Sequence, residues 1–546
     1  MATNVADKIQ IEETLAPDDS LNWKSFTSDK SVQIVYDQQN GSYSNQISFD
    51  LSSIISTQGW PAVQEGYVLM PMSTIATFGT ALTGPGAGIP ADFLTIKDNF
   101  INSIDSIQFF VDGKQLIEQT SFSNFPLQII DKLTMSASDL ILEGEALNIC
   151  PDVTTSCRYS AGTATSGGDG YHNNEFIETT ADGTLSGYHF SNFNDSVKKR
   201  ALNCFLQPVA VAATVNALPP AMSTTTNNFT QTLQPYYSSN GTTLTQGVWN
   251  YVVYLPLKRL GDLFNKYPLV KGSQMRLVLN FNSSSVGVSF TNVGPTMSLT
   301  ANPTMLAGNT VTPLVSNALS SKITNGGVSA ITITTQIQTT TVAGVLNTTA
   351  QRGYASLPQC RLYLPVYTIN PNFEERLLTN RLKTIRYNDI YQQPILGVVN
   401  GAQAQVNLTT ALPNVEMLII LPFHTNGGTQ VAATAAMFQS PFNTSPATTM
   451  PGGMLAFQNF NVSVSGQNVF NNNLNFGYDD WVNEVKKCGL NAGLSRELAS
   501  GLISKTTWEW SPFIIADISR RPLSADKTFQ SVNVSMTNQT GVTMDY

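Results

Sequence analysis

The chain has 546 residues, a net charge of −8, 12% charged and 42% hydrophobic residues, which is long enough for more than one domain and apolar enough for full cores. Charged residues stand at about half of the usual share of roughly 25%, so the polar surface is built from Ser, Thr, Asn and Gln and is suited to close, largely uncharged packing against neighbours. An acidic chain without a long basic run argues against direct nucleic-acid binding, and no apolar run approaches the roughly 18 residues of a membrane span.

In chain order, residues 1–30 are polar and acidic (Glu12-Glu13, Asp18-Asp19) and read as an arm outside the core. They lack the charged start and apolar centre of a signal peptide. Strand patterns begin with Ile34-Val35-Tyr36-Asp37 and continue through Gln46 to Leu51 and Tyr67-Val68-Leu69-Met70-Pro71-Met72. Phe110-Val111-Asp112-Gly113-Lys114-Gln115-Leu116 reads as strand, tight turn and strand. Phe125, twelve residues after Gly113, opens a short helical pattern. Residues 151–246 then turn to loop chemistry, long enough to project from a compact domain as a tower or lid. A tryptophan-led strand from Trp249 to Leu257, one or two helical turns over Lys258 to Phe264, and an alternating strand from Gln274 to Asn282 complete a first unit over 31–283.

Residues 284–383 are rich in Thr, Ser and Asn and carry two further strand patterns, Val328 to Ile337 and Cys360 to Ile369, which leaves the boundary between the units open within this segment. From 384 to 546 the order of the first unit returns. Ile385-Arg386-Tyr387-Asn388 matches Ile34 to Asp37, Gln403 to Leu408 matches Gln46 to Leu51, and Leu418 to Phe423 matches Tyr67 to Met72 with proline at the same point. Ser463-Val464-Ser465-Gly466-Gln467-Asn468-Val469 matches the strand-turn-strand, and Tyr478 stands twelve residues after Gly466 at the head of a helical pattern. Trp510 to Ile518 and Gln530 to Asn538 match the closing strands. Seven pairs in the same order predict one β-unit present twice. A further helix is expected over Ser495 to Ser504.

Chemistry-bearing patterns are sparse. The three histidines, His172, His189 and His424, come with no nucleophile elbow, HExxH or CxxC pattern. The cysteines Cys150, Cys157, Cys204, Cys360 and Cys488 are odd in number and scattered, as free thiols of a reducing compartment would be. Cys150 and Cys157 with His172 would make only a weak metal set, and Asp169 with Asp182 lacks the EF-hand spacing for calcium. Proline spoils the Gly84, Gly86, Gly88 loop as a phosphate cradle. Asp50, Glu374-Glu375 and Asp479-Asp480 are carboxylate candidates for glycoside hydrolysis by residue type alone, and helix-start charge accounts for Asp479-Asp480 better. Trp249, Trp508 and Trp510 suit core or interface packing before sugar stacking. No catalytic residue, metal site or cofactor is expected. The basic clusters Lys198-Lys199-Arg200, Arg376 to Arg386 and Arg520-Arg521 read as solvated faces.

The duplicated order, the Ile-x-Tyr-Asp/Asn openings, the Tyr254-Leu255-Pro256 and Tyr363-Leu364-Pro365 strands and the late Trp481, Asn483 and Trp510 region resemble the double jelly-roll major capsid proteins, those of virophages and polinton-like viruses above all. The likeness runs from about Val32 to Asn538. It implies an all-β fold of two consecutive eight-stranded antiparallel jelly rolls with a few short helices. It also implies a homotrimer of pseudo-hexagonal outline, assembled inside the host cell. Such trimers would tile an icosahedral virion shell around a DNA genome, with neighbouring capsomers and vertex and minor capsid proteins as partners. The loop over 151–246 would be an outward tower and the arm would lie beneath the capsomer. A cell-surface adhesin or carbohydrate-binding β-sandwich is the alternative from composition, and a β-sandwich glycosidase a third reading.

Overall fold

The computed structural model describes most of residues 27–149, 243–299, 330–337, 359–424, 457–488 and 502–546, with the short strands 204–205 and 313–315. Residues 1–26 of the expected arm, most of the 151–246 loop, the start of the Ser495 to Ser504 helix, His172, His189, Cys150, Cys157, Asp169, Asp182, the Gly84 to Gly88 loop, Trp510 and the Lys198 and Arg520 clusters lie outside the described residues, while residues 27–30 of the expected arm belong to the first strand instead.

The first unit is built from β1 (Thr27–Tyr36), β2 (Gln46–Asp50), β3 (Tyr67–Thr83), β4 (Ile104–Val111), β5 (Lys114–Glu118), β6 (Thr243–Pro256), β7 (Met275–Phe281) and β8 (Arg361–Ile369), with helix α1 (Asn124–Thr134) after β5 and α2 (Pro371–Thr379) after β8. One sheet has the order β1-β8-β3-β6 and the other β2-β7-β4-β5, every neighbouring pair antiparallel. This is a jelly roll: apart from the β4–β5 hairpin, strands next to each other in sequence are dealt out to opposite sheets, and the two inner faces close on one core. Register decides what meets there. Leu277 lies opposite Phe49 on one side and Phe109 on the other, and Leu279 opposite Ile47 and Ile107. From the facing sheet Val68, Met70, Tyr251, Val253, Leu255, Leu362 and Leu364 enter the same core. Past the barrel β3 and β6 continue paired, Ala330–Gln336 adds to the outer half of β3, and Ser284–Phe290 pairs in turn with Ala330–Gln336.

The second unit repeats the plan. Its strands are β9 (Gln403–Leu412), β10 (Met417–Ile420), β11 (Phe423–His424), β12 (Phe457–Val464), β13 (Gln467–Asn468), β14 (Ile514–Asp517), β15 (Gln530–Asn538) and β16 (Met544–Asp545), with α3 (Tyr478–Cys488) after β13. The sheet β9-β15-β12-β13 copies β2-β7-β4-β5, and β10 pairs β14 as β3 pairs β6. Val534 stands between Val406 and Val462 as Leu277 stands between Phe49 and Phe109. The two hairpin turns are also equivalent. Asp112 and Gly113 at φ 49° and 76°, and Ser465 and Gly466 at φ 51° and 82°, are left-handed at both central residues, as a two-residue hairpin requires.

Two sequence matches change. Ile385 to Asn388 is not the opening strand of the second unit: it carries no strand pairing, and Ile385 and Tyr387 pack against the first core. The true counterpart of the β1–β8 edge comes later, where Ile395 exchanges hydrogen bonds with Tyr546 at 2.7 and 2.8 Å and Val398 with Met544 at 2.9 Å each way. In addition, the β7 match slips by one residue. The sequence match aligns Gln274 with Gln530, yet sheet partners equate Leu277 with Val534, and a one-residue slip exchanges the buried and exposed faces of a strand.

Candidate assembly surfaces

A chain organised this way offers surfaces before it offers pockets, and the surface that matters first is the joint between the two units. α1 forms because a Pro at its third residue is tolerated in the first turn and because Phe125, Ile129 and Leu133 recur at helical spacing. Leu127 enters the first core, whereas Ile129 and Leu133 enter the second. A smaller apolar group, Met135, Leu147 and Ile149, lies just beyond α1 and takes Leu502 of the second unit against it.

The connector fastens the same joint. The Tyr387 hydroxyl donates to the Leu116 carbonyl at 2.5 Å, and the Asn388 backbone N–H donates to Asp262 at 2.9 Å while its side chain donates to Glu416 of the second unit at 3.0 Å. Asp131 of α1 is buried and ion-paired with Arg259, which follows β6 and also donates to Glu143 at 2.8 Å. The Arg259 hydrogen bond holds the Glu143 carboxyl below its usual range. In the second unit the buried Glu484 of α3 accepts from the Asp517 backbone N–H at 2.9 Å. Each helix is thus tied by a buried acid to the strand beside it or the segment after it.

A second surface is the outer face of the β1-β8-β3-β6 sheet. Outer faces of antiparallel sandwiches are normally polar, but here Val32, Ile34 and Tyr36 of β1 are exposed. Ile34 lies opposite Tyr363, whose ring stacks on Tyr67 at 5.0 Å, and Tyr67 meets Tyr254 at 5.2 Å. Arg361 sits over the Tyr36 ring at 5.5 Å. Beyond Tyr254, the tip at Ile141 and Leu142 is open, each residue 81% exposed.

The residues considered for chemistry are dispersed. Asp50 caps the turn into Ser52 at 2.9 Å, Asp480 accepts from the Gly477 N–H at 3.1 Å, and Glu374 accepts from Lys271 at 2.6 Å and from the Trp60 indole at 3.1 Å. Trp508 is buried and donates to the Phe513 carbonyl at 3.0 Å, packed with Tyr478 and Trp481. Cys360 is buried beside Tyr43, and burial pushes its thiol well above the usual range. Among the described residues no group of three His, Cys, Asp or Glu side chains is placed to hold a metal ion, and no helix is long and apolar enough to cross a membrane. The surfaces themselves left little trace in the sequence, since Ile129 and Leu133 read as ordinary core positions of an amphipathic helix.

No protein-family model matches the sequence, and no curated protein is recognisably similar to it. Solved structures are similar over nearly the whole chain. A chain of the Sputnik virophage is 12% identical with a TM-score of 0.40, covering 95% of this chain and 85% of that one. The mavirus major capsid protein is 10% identical with a TM-score of 0.39, covering 94% and 85%. The Faustovirus major capsid protein is 12% identical with a TM-score of 0.40, covering 96% and 90%. By the order of its own strands, the chain is a double jelly roll.

Proposed function

We propose that this chain is a viral major capsid protein whose working form is a homotrimer of six-sided outline, tiled with neighbouring trimers and with vertex and minor proteins into an icosahedral shell around a DNA genome. The observation that carries the reading is the repetition itself: two units with the same sheet order and the same helix, joined tightly in one chain. Three such chains in a ring present six similar sides, which close-pack in a plane, and closed rings are the usual outcome of a head-to-tail contact whose rotation closes.

On this reading the first unit runs from β1 to β8 and the second from Ile395 to the end, with α2 and the following segment as connector. The segment over 151–246, which leaves the first unit after Ile149 and returns into β6, is the outward tower, and the acidic arm lies on the inner side. The role is structural. The buried Trp508 gives no foothold to the carbohydrate-binding alternative.

Expression of the chain in a host cell followed by electron microscopy tests the reading. Six-sided particles or curved sheets of them support it, and a protein that stays dispersed under every assembly condition, with no particle larger than one chain, removes it.

A further inference from the structure

The helix that follows the β5 or β13 hairpin is present in both units, yet among the described residues the two are covered to different extents. Nine of the eleven residues of α1 are buried, because its outer side, Ile129 and Leu133, enters the second core. Only three of the eleven in α3 are buried, Trp481, Glu484 and Val485. Matching Phe125 to Tyr478 brings the buried acids Asp131 and Glu484 into register, and it sets Val482 at the place of Ile129, Asn483 at that of Ile130 and Lys486 at that of Leu133. Val482 differs from Ile129 in packing against its own unit's core, while Lys486 is half-buried and Asn483 is exposed.

The joint inside the chain is therefore head-to-tail: the first unit supplies a helix face and the second covers it. A contact of that kind repeats until it closes a ring or runs on as a filament. Among the described residues, one chain satisfies it once and leaves Asn483 of α3 exposed.

We propose that the face of α3 bearing Asn483 and Lys486 is the contact between copies of this chain, covered by the first unit of the next copy as the second unit covers α1. The inference rests on the trimer reading and names the surface that makes it. The change from Leu133 to Lys486 fits this division of labour. A joint that never opens can be core-like, whereas a face that each copy exposes before assembly is better kept partly polar, and interfaces formed by folded partners are more polar than cores.

The test uses the purified full-length chain and two variants, Asn483→Arg and Lys486→Glu, with mass by light scattering, far-ultraviolet circular dichroism and hydrogen exchange over 478–488. Asn483 is exposed in the single chain, so Asn483→Arg leaves the fold intact. The expected result is a wild-type mass of three chains with α3 protected. Both variants then shift to the mass of one chain, with unchanged dichroism and faster exchange in α3. Variants that remain trimeric beside a trimeric wild type overturn this inference and leave the capsid reading standing. A wild-type protein with the mass of one chain overturns both.

Discussion

Glu484 accepts a hydrogen bond from the backbone N–H of Asp517 at 2.9 Å, while Lys487 holds the other carboxylate oxygen at 2.7 Å. Asp131 does the corresponding work in the first unit against Arg259. Glu484→Ala takes an acceptor away from a buried N–H and costs about 1–3 kcal/mol. Asp131→Ala leaves the Arg259 cation buried with, among the described residues, only Glu143 in ion-pairing range, at about 3–5 kcal/mol. Urea denaturation of the two variants checks the order, Asp131→Ala being the less stable.

The paired hairpin turns give a direct test of the repeat. Gly113 and Gly466 have open space where a Cβ would stand, so Gly→Ala introduces backbone strain without a clash. Each substitution is expected to destabilise its own unit by about 1 kcal/mol. Ser465→Asn at φ 51° is expected to raise stability by a few tenths of a kcal/mol, because Asn tolerates the left-handed region better than Ser. Thermal unfolding of the three variants compares the shifts.

Tyr387→Phe removes one hydrogen bond, from the connector to Leu116, and is expected to cost about 1 kcal/mol. Its effect falls on the joint. The measurement is limited proteolysis, which should cut the variant between the two units faster than the wild type, with cleavage elsewhere unchanged.

Acid weakens this protein through defined groups. Arg259 holds Glu143, Lys30 with Tyr367 holds Glu65, and Lys271 holds Glu374, each below the ordinary carboxylate value of 4.5. A carboxylate whose folded pKa lies below its unfolded value stabilises in full above the unfolded value and loses that contribution as pH falls through the folded one. Stability is therefore expected to be flat with respect to these groups above about pH 5 and to fall below it. Glu143→Gln should lower the plateau and make the acid-side fall shallower in denaturation curves taken from pH 6 to pH 3.

Much of the architecture was legible because a β-unit present twice leaves ordered traces: the Gly113 and Gly466 turns, the strands at Gln46 and Gln403, the helices at Phe125 and Tyr478. Ile385 to Asn388 misled because a connector lying on a core needs the same β-branched and aromatic residues as a strand; Ile385 and Tyr387 are packed there, without partners in a sheet. The true edge at Ile395 to Val398 is too short, and interrupted by Gly397 at φ 69°, to carry a strand signal. The joint was hidden for a different reason. Which core a helix residue enters is a property of the assembled chain, and Ile129 pointing into the second unit looks in sequence the same as Leu127 pointing into the first.

The central claim is that the double unit works as a closed ring of three. Light scattering on the purified wild-type chain, joined to negative-stain imaging, tests it most directly. The account predicts a single species of three times the 59.1 kDa chain mass with a six-sided outline; a monodisperse species with the mass of one chain would contradict it.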